Sequence, residues 1–216
     1  MSRRLVAEFL GTAGLLIVVV GSGIMGESLA AGNAAIALLA NSLATGAGLY
    51  ALIQMLAPIS GAHFNPAVSF AECLARNQSL RECMAYVSAQ ISGAVAGVLV
   101  THAMFGQALL QLSRHDRGEF RLLLSELVAT FGLISIITLT GKRNPAATPA
   151  SVALYIVAAY WCTSSTSFAN PAVTIARSLT DTFSGILWTG APGFIAVQLL
   201  GAALACATVH LSVRPR

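Results

Sequence analysis

The sequence predicts an all-α membrane protein with six transmembrane helices and two re-entrant half-helices, built as an inverted internal repeat. Three observations support this. Of the 216 residues, 56% are hydrophobic and 9% are charged, whereas a soluble domain carries about 25% charged residues. Six segments approach the roughly 20 apolar residues that cross a bilayer. An Asn-Pro-Ala triplet occurs twice, at residues 65–67 and 170–172.

The six apolar segments lie near residues 5–23, 34–56, 84–105, 122–140, 148–162 and 190–211. The first follows Arg3 and Arg4 but has no convincing cleavage site after it, so we expect a retained span and not a signal peptide. Small residues are frequent within the spans. Gly93 and Gly97 form a GxxxG pair, which lets helix backbones approach closely in lipid.

Six spans place both termini on one side of the bilayer. One side would then carry eight basic residues and the other four: Arg3, Arg4, Arg76, Arg81, Lys142, Arg143, Arg214 and Arg216 against Arg114, Arg117, Arg121 and Arg177. Because short cytoplasmic loops are enriched in Lys and Arg, we expect cytoplasmic termini in the cell (inner) membrane. The loop at residues 106–119 would be external.

The two halves of the chain repeat each other. Residues 6–14 align with residues 124–132, and the ten residues from Asn65 align without a gap to those from Asn170. Each half contains three spans, an odd number, so the halves must be inverted relative to each other. Such repeats place a functional site at their interface near the bilayer midplane. We expect a single channel domain over residues 1–216, with repeats at about 1–110 and about 118–216.

Each triplet is typical of a helix start. Asn is a good N-cap, and Pro suits the first helical position. About ten residues follow before Arg76 or Asp181. That length gives about 15 Å of helix, half of a hydrocarbon core of about 30 Å. Two helix N-termini, each with a partial positive charge, would therefore meet at the midplane.

This arrangement predicts a pore for small uncharged molecules. The amides of Asn65 and Asn170 would both donate to one water, whose oxygen then cannot relay a proton along a water chain. The helix dipoles would repel cations. Neutral solutes would pass by exchanging hydrogen bonds. The pore centre is predicted to consist of both triplets: Asn65, Pro66, Ala67, Asn170, Pro171 and Ala172.

On these motifs the sequence resembles the major intrinsic protein family, the aquaporins and glyceroporins, over nearly its whole length. The resemblance implies a homotetramer with one pore per protomer. His63, within the run from Ser60 to Asn65, also matches the family pattern. It would be a pore-lining group, or alternatively a histidine that packs helices together.

The sequence departs from the family after the second triplet. The family usually has Arg there, at the narrowest point, but this chain has Val173. Family spacing places the other constriction positions at Thr45, Ala158 and Ser167. All three are small, so we expect a wide constriction.

Val173, with the run from Ala176 to Phe183, resembles bacterial aquaporin-like channels of arsenic-resistance systems. That resemblance implies arsenous acid and methylated arsenicals as solutes beside water and glycerol-like polyols.

Three ionisable residues have two interpretations each. Arg177 lies one helical turn after Val173. It either takes the place of the family's arginine at the pore mouth and tunes entry, or it pairs with Asp181 or extends to the lipid interface. Glu8 and Glu126 occupy equivalent positions in the repeats. They either brace the links before the half-helices or couple protons in an alternating-access secondary transporter.

Other function classes lack support in the sequence. The four cysteines are scattered, without metal-ligand spacing, so no metal or cofactor is expected. There is no nucleophile–base pair or phosphate loop, and we do not expect an enzyme. The net charge of +4 does not form a basic stripe, so nucleic acid is not an expected partner. The expected partners are the lipid bilayer and small neutral solutes.

Overall fold

The computed structural model describes residues 1–212, with side chains to Val209. Arg214 and Arg216, counted above for orientation, lie outside the described residues. The described chain contains eight α-helices and one 3-10 turn at Pro145–Ala147. The helices are α1 (Ser2–Leu29), α2 (Ala34–Ser60), α3 (Pro66–Leu74), α4 (Leu80–Met104), α5 (Phe120–Arg143), α6 (Thr148–Cys162), α7 (Pro171–Arg177) and α8 (Ala191–Ser212).

Six helical segments are long and apolar enough to cross a membrane, the fifth of them when α6 is taken together with the 3-10 turn before it. They correspond to the six predicted segments, and most extend beyond them; α1, for example, has 28 residues. Large apolar side chains are exposed on their outer faces, among them Leu10, Leu43 and Leu154. Such faces fit a lipid environment and not water. The all-α prediction with six spans and two short helices is therefore confirmed.

The helix packing repeats between the halves. Helix α1 packs on α2 and α4, and α5 packs in the same way on α6 and α8. The halves meet where α2 packs on α6. The short helices cross over: α3 packs on α8 of the second half, and α7 packs on α4 of the first half. Each short helix is therefore packed partly against a membrane-spanning helix of the other half.

Glycine permits the closest helix contact in the first half. A methyl group on Gly93 or Gly97 would collide with the backbone carbonyls of Phe9 and Ala13 in α1. This is the close backbone approach expected of the GxxxG pair. Gly201 of α8 lies in the same way against the carbonyl of Leu127 in α5, so the contact recurs in the second half.

The two short helices begin at the predicted residues, and α7 ends earlier than predicted. Helix α3 has nine residues and α7 has seven, against the expected ten or so. Loop amides bond the carbonyls at the end of α7. The carbonyl of Ser178 accepts from the amide of Ser113 at 3.0 Å, and that of Arg177 accepts from the amide of Ile186 at 3.2 Å.

Candidate functional site

The two Asn side chains cap the helices that they begin. The Oδ1 atom of Asn65 accepts from the amide of Ala67 at 2.8 Å. That of Asn170 accepts from the amides of Ala172 and Val173 at 3.0 and 3.3 Å. Both Asn residues have extended backbones, and Pro66 and Pro171 occupy the first helical positions. This geometry follows directly from the capping preference of Asn and the fixed φ of Pro.

The same side chains join the two halves at the centre of the molecule. The Asn65 Nδ2 atom donates to the carbonyl of Ala169 at 2.7 Å, and the Asn170 Nδ2 atom donates to the carbonyl of Phe64 at 2.8 Å. An amide nitrogen carries two hydrogens. One hydrogen of each Asn therefore fixes the opposite link, and the second remains for a molecule in the space between them.

The links before the two short helices have an uncommon backbone. Several non-glycine residues have left-handed φ values near +50°, each of which costs about 1–2 kcal/mol for an L-residue. They are Ala62 and Phe64 in the first link, and Thr166, Ser167 and Ala169 in the second. Such conformations persist only where surrounding contacts hold them.

Glu8 holds the first link. Its carboxylate is fully buried and accepts four hydrogen bonds. Two come from the backbone amides of His63 and Phe64, at 3.0 and 2.7 Å. The others come from the Ser60 hydroxyl at 2.6 Å and the Gln90 side-chain amide at 2.8 Å. The backbone donors are the contacts that the bracing interpretation requires.

Glu126 has the equivalent contacts in the second half. It is also fully buried and accepts from the amides of Phe168 and Ala169 at 2.8 Å each. Its third donor is the side-chain amide of Gln198 at 2.6 Å. Gln90 and Gln198 were not among the residues predicted to belong to the site. Each is the single Gln of its span, in α4 and α8.

A cavity runs between the two halves and passes both Asn side chains. Its volume open to water is about 170 Å³, whereas one water needs about 10–15 Å³ by this measure, so the cavity has room for several waters. Most of its wall is apolar. The polar and charged lining groups are Thr45, His63, Asn65, Glu72, Thr148, Tyr160, Ser167, Asn170 and Arg177.

His63 lies on the cavity wall, and its side chain also packs within the protein. Its Nδ1 atom is 3.0 Å from the hydroxyl of Ser69, and its ring centroid is 5.1 Å from that of Tyr86. Both interpretations of this residue therefore have a structural basis. Its counterpart before the second triplet is Phe168, an apolar residue that also lines the cavity.

Three of the four predicted constriction residues line the cavity: Thr45, Ser167 and Val173. Ala158 does not, so that prediction is wrong. Helix α6 faces the cavity with residues four apart, ending in Ile156 and Tyr160. Ala158 lies between them in sequence, about 200° around the helix from Ile156, and is exposed on the outer face. Tyr160 brings a bulky aromatic ring where a methyl group was expected.

Arg177 is 2% exposed and lines the cavity. Its guanidinium carbon lies 3.4 Å from the Phe168 ring centroid, and its Nε atom donates to the carbonyl of Ser184. The alternative interpretation, a pair with Asp181, does not form. Asp181 instead accepts from Arg114 of the loop at residues 106–119, with 2.7 Å between Arg114 Nη2 and Asp181 Oδ2.

Arg117 of the same loop packs beside this part of the cavity. Its Nε atom donates to the carbonyl of Gly185 at 2.9 Å and its Nη1 atom to that of Ser165 at 3.3 Å. Its guanidinium lies 5.3 Å from the Phe168 ring centroid. Partial burial lowers the pKa of Arg117. The loop is therefore bonded to the link that carries Ser165 and Phe168.

Comparisons with known proteins agree with this architecture. Residues 1–161 match the family model described as "Major intrinsic protein". The chain is 50% identical over 215 residues to the "Aquaglyceroporin AqpS" of Rhizobium meliloti (strain 1021), covering 100% of this chain and 92% of that protein. It is 30% identical over 228 residues to the "Lens fiber major intrinsic protein" of Gallus gallus, covering 99% of this chain and 82% of that one.

The fold also matches a solved structure, the X-ray structure of the aquaglyceroporin from Plasmodium falciparum. The TM-score is 0.73 at 20% identity, and the match covers 95% of this chain and 94% of the other. At that identity the likeness concerns the fold alone. Family model, relatives and fold agree, and the chain is a multi-pass membrane protein with six spans that belongs to the major intrinsic protein family.

Proposed function

We propose that this protein is a passive channel for small uncharged solutes, which cross through the cavity between its two halves. The observation that carries the proposal is the central pair, Asn65 and Asn170. Both line the cavity, and each retains one amide hydrogen after bonding the opposite link. A passing hydroxyl or water can accept from these donors and then move on. No covalent chemistry is needed, and the role is that of a channel and not of an enzyme.

Selectivity against protons follows from the same donors. A water that accepts from both Asn residues has its oxygen fully engaged. It cannot accept a proton from the next water in the file, while a neutral solute only exchanges hydrogen bonds. The pore centre would thus consist of the two triplets, with Pro66, Ala67, Pro171 and Ala172 holding Asn65 and Asn170 in place.

The solute class is water and glycerol-like polyols, together with arsenous acid and methylated arsenicals. The name of the relative from Rhizobium meliloti, an aquaglyceroporin, supports the first group. The second group rests on Val173 at the position where the family usually has Arg. With Val173, Thr45 and Ser167 at the constriction, the family's arginine is absent from its usual position. The bulky residue at the constriction is Tyr160, in place of the predicted Ala158.

The alternative, a proton-coupled secondary transporter, would use Glu8 and Glu126. Their contacts favour bracing. The two carboxylates are fully buried, accept four and three hydrogen bonds, and are not among the residues that line the cavity. Protonating either carboxylate would break bonds that hold a left-handed link. We therefore assign both residues to bracing. We also propose that the channel is a homotetramer of the inner membrane with cytoplasmic termini, as the family resemblance and the distribution of basic residues imply.

The test is solute flux into proteoliposomes followed by light scattering. The solutes are water, glycerol, urea and arsenous acid, with empty liposomes as the control. A channel raises all four fluxes without steep saturation, and an imposed proton gradient leaves them unchanged. Flux that follows the proton gradient would support the transporter. Flux equal to that of empty liposomes would refute both.

A further inference from the structure

Two of the four cysteines, scattered along the sequence, come together in the fold. Cys73 lies in the last turn of α3 and Cys83 in the first turn of α4, and their two thiol groups interact directly. Both thiols are free. Cys73 is half-buried and Cys83 is 5% exposed. The thiol pair therefore joins the end of the first re-entrant helix to the start of the next membrane span.

The packing of α3 on α4 explains why these thiols meet. The Gln90 side-chain amide of α4 donates to the Ser69 hydroxyl of α3 at 3.0 Å, so these two residues mark the faces that are in contact. Cys73 follows Ser69 by four residues and Cys83 precedes Gln90 by seven, which keeps each cysteine on the same face as its marker. Because the link at residues 75–79 is short, the chain turns back on itself, and both steps lead towards the same end of the helix pair.

The thiol pair lies beside the central cavity. Cys73 directly follows Glu72, whose side chain lines that cavity. Helix α3 begins at the centre of the molecule with Asn65 as its cap, so its last turn lies towards one mouth of the cavity. A solute that enters or leaves by this mouth passes near the half-buried thiol of Cys73 before it reaches the more deeply buried thiol of Cys83.

The surroundings of the pair are unsuited to a metal ion. Zinc in structural sites has four protein ligands, whereas among the described residues no group of three or more His, Cys, Asp or Glu is arranged to hold a metal ion. A metal would also need both cysteines as thiolates, and two negative charges beside the buried Cys83 are costly. A suitable ligand instead forms two bonds to sulfur and leaves no net charge.

Trivalent arsenic with one organic substituent, R–As(OH)2, meets both requirements. Each thiol sulfur forms a bond to arsenic while one arsenic–oxygen bond breaks, and the thiol proton leaves with that hydroxyl as water. Two thiols thus release two waters, arsenic stays trivalent, no oxidant is consumed, and the product is neutral. The second bond forms within one molecule, so a thiol already held nearby makes the complex much tighter than a single thiol could.

We propose that Cys73 and Cys83 form a dithiol site, which binds trivalent arsenicals with two exchangeable hydroxyls at one mouth of the cavity. The bound arsenic atom bridges α3 and α4. The site goes beyond the proposed channel function, because binding to these thiols does not require passage through the pore.

The experiment measures how firmly the protein retains methylarsonous acid. Reduced full-length protein in detergent is incubated with this arsenical, then challenged with increasing glutathione, a monothiol, and weighed intact by mass spectrometry. The wild type should keep one arsenical, with a mass increase equal to that of methylarsonous acid less two waters. In Cys73→Ser only one bond to sulfur can form. Glutathione should then remove the arsenical at a concentration at least about tenfold lower, because the effective concentration of the second thiol is lost.

The other two cysteines supply matched controls. Cys162 is exposed, and Cys206 of α8 donates to the carbonyl of Ala71 at 3.7 Å. Cys162→Ser and Cys206→Ser should both retain the arsenical as the wild type does.

Digestion of the wild-type adduct locates the arsenic without any substitution in the buried part of the pair. Trypsin cuts after Arg76 and Arg81, which separates Cys73 from Cys83. The adduct should therefore appear as two peptides joined by one arsenic atom, one peptide with Cys73 and the other with Cys83.

The outcomes separate this site from the proposed function. Retention in Cys73→Ser equal to that of the wild type, the loss of a single water, or arsenic on another cysteine would overturn the site. An adduct on Cys73 and Cys83 in a protein that gives no solute flux in proteoliposomes would support the site and refute the channel. Flux without an adduct would do the reverse.

Discussion

The guanidinium carbon of Arg177 lies 3.4 Å from the centroid of the Phe168 ring, within the wall of the cavity. A desolvated cation on an aromatic face gains about 2 kcal/mol. Among the described residues, no carboxylate forms an ion pair with this arginine. The positive charge usually found after the second triplet is therefore still present in the cavity, one helical turn further along.

Removal of Arg177 should weaken the barrier to protons and cations. In Arg177→Met the cavity loses its buried positive charge, and we expect proton leak at least about tenfold above wild type, since an unscreened charge is worth several kcal/mol at close range. A pH-jump assay on loaded vesicles measures the leak. Arg121→Met, at an exposed position, serves as the control and should leave it unchanged. Equal leak in both variants would refute the barrier role.

Val173→Arg should narrow the pore. Val173 is 5% exposed and lines the cavity, so a long side chain here extends into the path. We expect water permeability to persist and glycerol and arsenous acid permeability to fall by at least about tenfold, because the larger solutes must displace the new side chain. Light scattering on proteoliposomes measures all three. Unchanged glycerol flux would show that Val173 does not set the width.

Glu126→Gln should destabilise the second link. The carboxylate accepts from the amides of Phe168 and Ala169, and an amide side chain cannot accept from all three of its donors. We expect a loss of about 2–4 kcal/mol, as for donors left unsatisfied beside a former charge. Thermal unfolding in detergent measures the change. Glu27→Gln, at an exposed position in α1, should have the wild-type melting temperature. An equally small effect in both variants would exclude bracing.

Gly93→Ala should separate α1 from α4. The added methyl group would meet the carbonyl of Phe9, a backbone atom that cannot rotate away, and we expect a loss of about 1–3 kcal/mol from overpacking. Gly141→Ala in α5 has open space, with the nearest atom 4.0 Å away. It should be neutral or stabilise by up to about 1 kcal/mol through helix propensity. Melting temperatures of the pair measure the difference.

Acid should break the contact between Arg114, in the loop at residues 106–119, and Asp181, which follows α7. Hydrogen bonds from the Arg114 amide, then from its side chain, hold the pKa of Asp181 below its ordinary value of 3.8, and His115 lies 4.0 Å away. Because the folded pKa is lowered, this contact contributes fully above pH 3.8 and is lost as the pH falls through the folded value.

Hydrogen exchange of the Arg114 amide reports the release. Exchange should accelerate, relative to the intrinsic rate, as the pH falls below 3.8. Asp181→Asn should produce the faster exchange already at pH 7. Asp116→Asn, in the same loop but bonded only to Gly118 among the described residues, is the matched control. If Asp181→Asn leaves the Arg114 amide protected, the ion pair does not hold the loop.

Much of the architecture could be predicted because the same motifs occur in both halves of the sequence. Asn65 and Asn170 each carry a local capping signal, and the equivalence of Glu8 and Glu126 follows from the repeat. These features depend on residues that are close in sequence or duplicated. The repeat also contains a weaker signal for Gln90 and Gln198, each the single Gln of its span.

The constriction was harder to predict because it is assembled from four separate elements. Family spacing selected Ala158, but the helix phase of α6 turns Tyr160 inwards, and a two-residue difference moves a side chain by about 200° around the helix. The two interpretations of Arg177 could not be separated from the sequence for a similar reason. Sequence distance made Asp181 a candidate partner, whereas tertiary packing placed Arg177 on the cavity wall beside Phe168 and gave Asp181 to Arg114.

The reciprocal bonds at the centre also constrain how the protein is made. Asn65 and Ala169 are 104 residues apart, and Asn170 and Phe64 are 106 apart. While the ribosome is still synthesising the second half, the first re-entrant segment lacks its partner carbonyl and its half of the wall. The wall of the conducting path is therefore complete only after translation has passed Asn170. We expect no nascent intermediate to form an open pore in the membrane.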